Sequence, residues 1–154
     1  MKMYDIYGLP KVKKPFYTKG LKFECQKECF ACCGGGPGYV WIEEEEIPKL
    51  SALLGISDQE FLDNYTKKAN GRLSLLDIAS DNWNCIMLKN GRCSIYENRP
   101  IQCRTYPFWH SNLHNQEYWD IEKEACPGIG KGKEYTMEQI EAIADGEETI
   151  DSIK

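Results

Sequence analysis

Eight cysteines stand in this chain of 154 residues, and their spacing is uneven. Cys25, Cys29, Cys32 and Cys33 form a tight group, whereas Cys85, Cys93, Cys103 and Cys126 lie far downstream. Thiolates are soft ligands suited to zinc, iron and iron–sulfur clusters. A Zn–S bond of about 2.3 Å needs sulfurs only a few ångströms apart, which short local spacing can supply. Were Cys25 to Cys33 helical, positions 25, 29 and 32 would share one face, and a further ligand would come from elsewhere. Adjacent Cys32 and Cys33 point apart in any regular element. They serve two metals unless the breaker Gly34-Gly-Gly-Pro-Gly38 bends both inward. Eight thiols suffice for two four-cysteine sites or one multinuclear centre, and a single ion would leave four unused.

Other uses of cysteine explain less. A disulfide framework belongs to secreted chains, and the start MKMYDIYGLPKVKK lacks the apolar core of a secretion signal. The expected location is therefore the cytoplasm, where thiols stay reduced. Buried free thiols could account for one or two cysteines but not for the local group. Cys29-Phe-Ala-Cys32 is nominally a redox Cys-x-x-Cys motif, yet the surrounding βαβ pattern is missing. The spacing Cys25-x3-Cys29-x2-Cys32 is also that of radical S-adenosylmethionine enzymes. The repeated strand–helix units of that fold are absent, and Ala31 stands where an aromatic residue usually precedes the third cysteine. The spacing still suits a four-iron, four-sulfur cluster, which is favoured here over zinc.

Composition removes whole classes of function. The net charge of -5, with no clustered excess of Lys and Arg, argues against nucleic acid as a partner. No apolar run is long enough to span a bilayer, so no membrane is expected. His110 and His114 fall in a polar loop and read as surface residues rather than ligands. Glu43 to Glu46 read as a helix-capping run, not a hard-metal site. Trp83, Trp109 and Trp119, with Tyr106 and Phe108, read as core around the site. Arg99 and Arg104 flank Cys103, and either could stabilise its thiolate, although Arg99 could equally pair with Glu97 or a nearby carboxylate.

The elements that must carry these residues point to an α+β class, as one small domain with short antiparallel strands and two or three helices. Residues 1–20 read as an arm, anchored through Tyr4, Ile6, Tyr7, Phe16 and Tyr17, and residues 21–154 as the cysteine-bearing domain. Short-strand character at Tyr39 to Ile42 precedes a helix that carries Pro48 in its first turn and stops at Gly55. Ser57 with Glu60 opens a second helix ending at Asn70-Gly71, and Thr136 with Gln139 opens a third. Leu73 to Ile78, Cys85 to Leu88, Cys93 to Tyr96 and Glu117 to Glu122 read as strands. Asn90-Gly91 is the strongest hairpin signal. It pairs Lys89 with Arg92 and Leu88 with Cys93, and a regular continuation to Ile86 with Ile95 would put Cys85 on the face opposite Cys93.

The segment Cys25-x3-Cys29-x2-Cys32-Cys33, followed by Cys-x7-Cys-x-Ile-Tyr-Glu-x-Arg-Pro-x2-Cys-Arg-x-Tyr-Pro from Cys85 to Pro107, resembles the YkgJ-like cysteine-cluster family. All eight cysteines match that pattern, and the resemblance runs from about Phe23 to Cys126. It implies a zinc- or iron-chelating domain, often with an iron–sulfur cluster, whose ligands would be Cys25, Cys29, Cys32, Cys33, Cys85, Cys93, Cys103 and Cys126. Relatives include flagellin lysine methylases, in which such a domain is part of a larger protein. No Gly-rich turn in a strand–helix setting for S-adenosylmethionine accompanies the resemblance here. The expected function is metal binding. The alternatives are a structural zinc domain that engages a protein partner, and a component of a methylase or redox system. Whether the chain is an enzyme stays open.

Overall fold

In the computed structural model of the chain, residues 14–26, 29, 31–34 and 37–153 are described. The two ends of this span meet: β1 (Leu21–Phe23) pairs antiparallel with the last strand, Lys133–Tyr135. Phe16 and Tyr17 pack on the core beside them, whereas Tyr4, Ile6 and Tyr7 lie outside the described residues.

β2 (Trp41–Ile42) leads through a tight turn of three glutamates into α1 (Ile47–Leu54). Pro48 occupies its first turn, where its missing N–H costs nothing, and Gly55 ends it at φ 71° in the left-handed region that glycine adopts without strain. α2 (Asp58–Tyr65) starts where the Ser57 hydroxyl accepts the Glu60 N–H at 3.1 Å. Unlike the sequence reading, α2 stops at Tyr65. The β-branched Thr66 turns extended, and β3 (Thr66–Ala69) runs into a hairpin with β4 (Arg72–Leu75). Asn70-Gly71, expected to cap the helix, is the hairpin's turn. Its φ values of 52° and 74° nearly repeat the 51° and 74° of Asn90-Gly91, the paired left-handed conformation of a type I′ turn. β2 completes a three-stranded sheet in the order β2-β4-β3.

β5 (Asp77–Ile78) pairs with β6 (Asn84–Cys85), and β7 (Leu88–Lys89) with β8 (Arg92–Cys93) through Asn90-Gly91 in the expected register. α3 (Ile101–Thr105) follows Pro100. α4 (Gln116–Ala125) covers the segment Glu117 to Glu122, which reads as a strand from sequence. The Asn115 side chain accepts the Tyr118 N–H at 2.9 Å, and the helix-favouring Glu, Lys and Ala that follow carry the helix onward. β9 (Lys133–Tyr135) and α5 (Met137–Ala144) close the described chain, α5 with the predicted reciprocal cap of Thr136 and Gln139. The class is α+β, with five α-helices among the described residues rather than two or three.

Two apolar clusters result. One gathers Ile42, Leu50, Phe61, Leu75, Met87 and Ile95 around α1, α2 and the three-stranded sheet. The other gathers Phe23, Phe108, Trp119, Ile129, Tyr135, Ile140 and Ile143 around α4, α5 and the β1–β9 pair. Trp119 and Phe108 are core, as read, stacked with centroids 5.7 Å apart.

Candidate metal centre

The cysteines reach one region by different backbone devices. At the exit of β1, the Glu24 N–H donates to the Gly128 carbonyl at 3.1 Å and the Gly130 N–H to the Lys22 carbonyl at 2.8 Å. Cys25 is thereby drawn to the loop that follows Cys126 at the end of α4. Among the described residues of the first group, the Cys29 N–H closes a turn on the Gln26 carbonyl at 3.2 Å, and Ala31–Cys33 is a short 3-10 turn rather than part of an α-helix. Lys27, Glu28 and Phe30 lie outside the described residues.

Gly34 rests so closely on Asn84 that a Cβ added there would stand 2.1 Å from the Asn84 Oδ1, which sets Cys33 beside Cys85. Cys85 is not part of an extended hairpin with Cys93. It pairs opposite Asp77, and the Ile86 N–H donates to the Leu76 carbonyl at 2.9 Å. Strands β7 and β8 are two residues long, and Tyr96–Asn98 forms a 3-10 turn where continued pairing was expected. The opposite-face argument therefore fails, and Cys85 and Cys93 line the same cavity.

Cys103 sits on α3, which is tied to β2. Gln102 accepts the Trp41 N–H at 2.8 Å and donates to the Tyr39 carbonyl at 3.0 Å, while the Ile101 N–H donates to Glu46 at 2.7 Å. The glutamate run thus caps a turn and also holds α3.

Two adjoining cavities collect the thiols. The first, of about 210 Å³, is lined by Cys32, Cys33, Cys85, Cys93 and Cys103. The second, of about 390 Å³, is lined by Cys25, Cys29, Cys32, Cys103 and Cys126. All eight cysteines face one or the other, and Cys32 and Cys103 face both. Arg99 and Tyr106 are also common to the two. The thiols come from both halves of the fold: Cys126 belongs to the cluster around α4, and Cys85 and Cys93 pack on the cluster around α1. Among the described residues, no three Cys, His, Asp or Glu side chains already stand at coordination distance. A cysteine places its sulfur by a single staggered torsion, and thiols are soft donors suited to zinc or iron.

The electrostatics favour a cation. Burial, then neighbouring thiols and their charge, pushes Cys103 and Cys85 up from the ordinary thiol range. Burial does the same to Cys93, Cys126 and Cys25. Cys32 is the exception: a hydrogen bond from the Cys33 thiol holds it down at about 7, and Cys33 is pushed up as the donor. Thiols that disfavour one another's ionised forms are relieved by a metal ion, so proton release and metal binding are linked.

Several residues at the site carry no local sequence signal. Tyr106 donates to the Glu122 carboxylate and lies against the Cys126 thiol. Tyr96 lines the second cavity together with Cys25. Lys133, Ile150, Asp151 and Ile153 wall the second cavity from the far C-terminal side. Of the two arginines weighed for Cys103, Arg99 faces it. Arg104 offers its carbonyl to the Ile150 N–H at 2.9 Å, and its Nε is buried without a hydrogen-bond partner among the described residues. His110 pairs with Asp145 at 2.8 Å and His114 lies against Tyr118, and neither lines these two cavities. Trp109 lines the first cavity with its indole N–H on the Gln102 carbonyl, and Trp83 lines it while remaining 39% exposed.

Comparison with known proteins agrees with this geometry. Residues 24–127 match the model of the CxxCxxCC family, described as a putative zinc- or iron-chelating domain. An uncharacterized protein of Methanocaldococcus jannaschii is 29% identical over 100 residues, covering 64% of this chain and 51% of that protein. The chain thus spans about half the length of that relative. No solved structure matches. Among the described residues, no helix is long and apolar enough to cross a membrane.

Proposed function

The chain belongs to this zinc- or iron-chelating family, and on that premise we propose that it binds metal through all eight cysteines in a multinuclear centre of two adjoining positions, one in each cavity, with iron–sulfur the favoured occupant. The observation that carries the reading is that Cys32 and Cys103 face both cavities while each cavity adds three cysteines of its own. Four thiolates per position is the usual complement of a closed thiolate site. When bound, such a cluster supplies one-electron redox chemistry or an inert structural tie.

The chain's own residues define the rest. Tyr96 stands beside Cys25, and Tyr106 stands beside Cys126. Donors aimed at ligand sulfurs stabilise their charge and raise a cluster's reduction potential. All eight thiols are free in the fold, so the proposal includes a reducing compartment such as the cytoplasm.

A structural zinc domain is the second reading, and the division of the core into two clusters with the thiols between them favours it. In that reading the surface would serve a protein partner. Metal analysis of anaerobically purified protein separates the two. Iron with acid-labile sulfide and visible charge-transfer absorption is expected. Stoichiometric zinc in a colourless protein overturns the iron reading, and neither metal with eight freely titrating thiols overturns both.

A further inference from the structure

A centre built from thiolates gathers negative charge, and one cation stands against both of its halves. Arg99 lines the two cavities together, with its side chain only 13% exposed. Three contacts fix the guanidinium. Its Nε donates to the Tyr96 carbonyl at 3.0 Å, its Cζ lies 4.0 Å from the Tyr96 ring centroid, and its Nη2 meets the Asp151 carboxylate at 3.0 Å. Tyr96, so held, lies in the second cavity beside Cys25.

Asp151 comes from a segment tied down on both sides. The Ile150 N–H donates to the Arg104 carbonyl at 2.9 Å, next to Cys103, and Lys133 Nζ donates to the Ile153 carbonyl at 2.8 Å. Within the segment, Thr149 and Ser152 cap each other's N–H groups at 2.8 and 3.1 Å. This stretch lies beyond residues 24–127, which carry the family match, yet it walls the second cavity.

We propose that Arg99 is the positioning residue that offsets the charge of the thiolate centre, and that Asp151 orients its guanidinium while cancelling part of its charge. The inference rests on the metal-binding reading and goes beyond it, because it assigns a tuning pair to residues that are not ligands. Two opposite consequences follow. Removing the cation makes the negatively charged metal–thiolate assembly less stable, and in an iron cluster it lowers the reduction potential. Removing the Asp151 charge while keeping a hydrogen-bond acceptor does the reverse. A pair that only braces the fold would shift both variants the same way.

The test compares full-length wild type with Arg99→Gln, Arg99→Lys and Asp151→Asn after anaerobic purification and elemental analysis. The readout is the reduction potential of the iron-loaded protein, or competition with a chromophoric chelator for the zinc-loaded one. Arg99→Gln should lower the potential, or weaken zinc binding by about ten- to a hundred-fold, as loss of an outer-sphere partner does. Arg99→Lys should recover part of that loss. Asp151→Asn should move the readout the other way and by less, on the order of a few-fold, because an exposed carboxylate is screened by solvent. Metal-loaded wild type with Arg99→Gln unchanged, or with Arg99→Gln and Asp151→Asn shifted in the same direction, overturns this inference alone. Wild type that holds neither iron nor zinc overturns the metal reading and the inference with it.

Discussion

Gly128 lies directly on the Glu24 carbonyl: a Cβ added at Gly128 would stand 2.3 Å from that oxygen and 3.0 Å from its carbon. The contact is backbone on backbone, and Glu24 also donates its N–H to the Gly128 carbonyl. It is what brings Cys25, one residue after Glu24, to Cys126, two residues before Gly128. Gly34 makes the comparable approach for Cys33 and Cys85, but there the obstacle is the Asn84 side-chain oxygen at 2.1 Å.

These two glycines should therefore differ. In Gly128→Ala neither main chain can yield cheaply, and overpacking of this kind costs about 1–3 kcal/mol. The variant should show a lower urea midpoint and a reduced metal content. Gly34→Ala needs only the Asn84 amide to swing aside, so its loss should be smaller and should vanish in Gly34→Ala/Asn84→Ala. Equal behaviour of Gly128→Ala and Gly34→Ala would contradict this account of how the cysteines are brought together.

The local devices were readable from sequence because each depends on residues a few positions apart. Gly55, Ser57 and the Thr136–Gln139 cap do what their residue types dictate. Asn90-Gly91 does too. Asn70-Gly71 was misread because a helix stop and a type I′ turn draw on the same residues, and only the pairing of β3 with β4 decides between them. Residues 117–122 read as a strand, whereas the Asn115 cap starts a helix there. The eight cysteines stand out in the sequence as candidate ligands, but their division between the two cavities does not. Cys85 pairs with Asp77 through contacts outside the hairpin, so a parity argument confined to the hairpin had no access to them. The Arg99–Asp151 pair spans 52 positions and leaves no local pattern at all.

The division of the cysteines between cavities predicts unequal losses on substitution. Serine is a poor ligand for soft metals. Cys93→Ser touches only the first cavity and Cys126→Ser only the second, so each should lose part of the metal bound per chain. Cys103→Ser touches both and should lose more than either. Elemental analysis of the three purified variants checks the order. Identical, complete loss in all three would mean one indivisible cluster and not two adjoining positions.

Metal removal should act on the fold as a whole. Cys25 leaves β1 and Cys126 ends α4, and both face the second cavity, so a metal bound there closes a loop of roughly a hundred residues. By chain entropy, a cross-link of that length contributes about 4 to 5 kcal/mol. The cysteines of the first cavity are held mainly against the other apolar cluster, so a centre spanning both cavities ties the clusters together. For a chain of this size the loss corresponds to a fall in Tm of roughly 10 to 20 °C. Thermal melts followed by circular dichroism, with and without a strong chelator under reducing conditions, give the number directly. The metal-loaded protein should melt in one transition. The stripped protein should melt earlier and more broadly, as two clusters that no longer share a tie. Complete removal of metal with no change in Tm would show that packing alone joins them, and that the centre contributes chemistry without contributing to the fold.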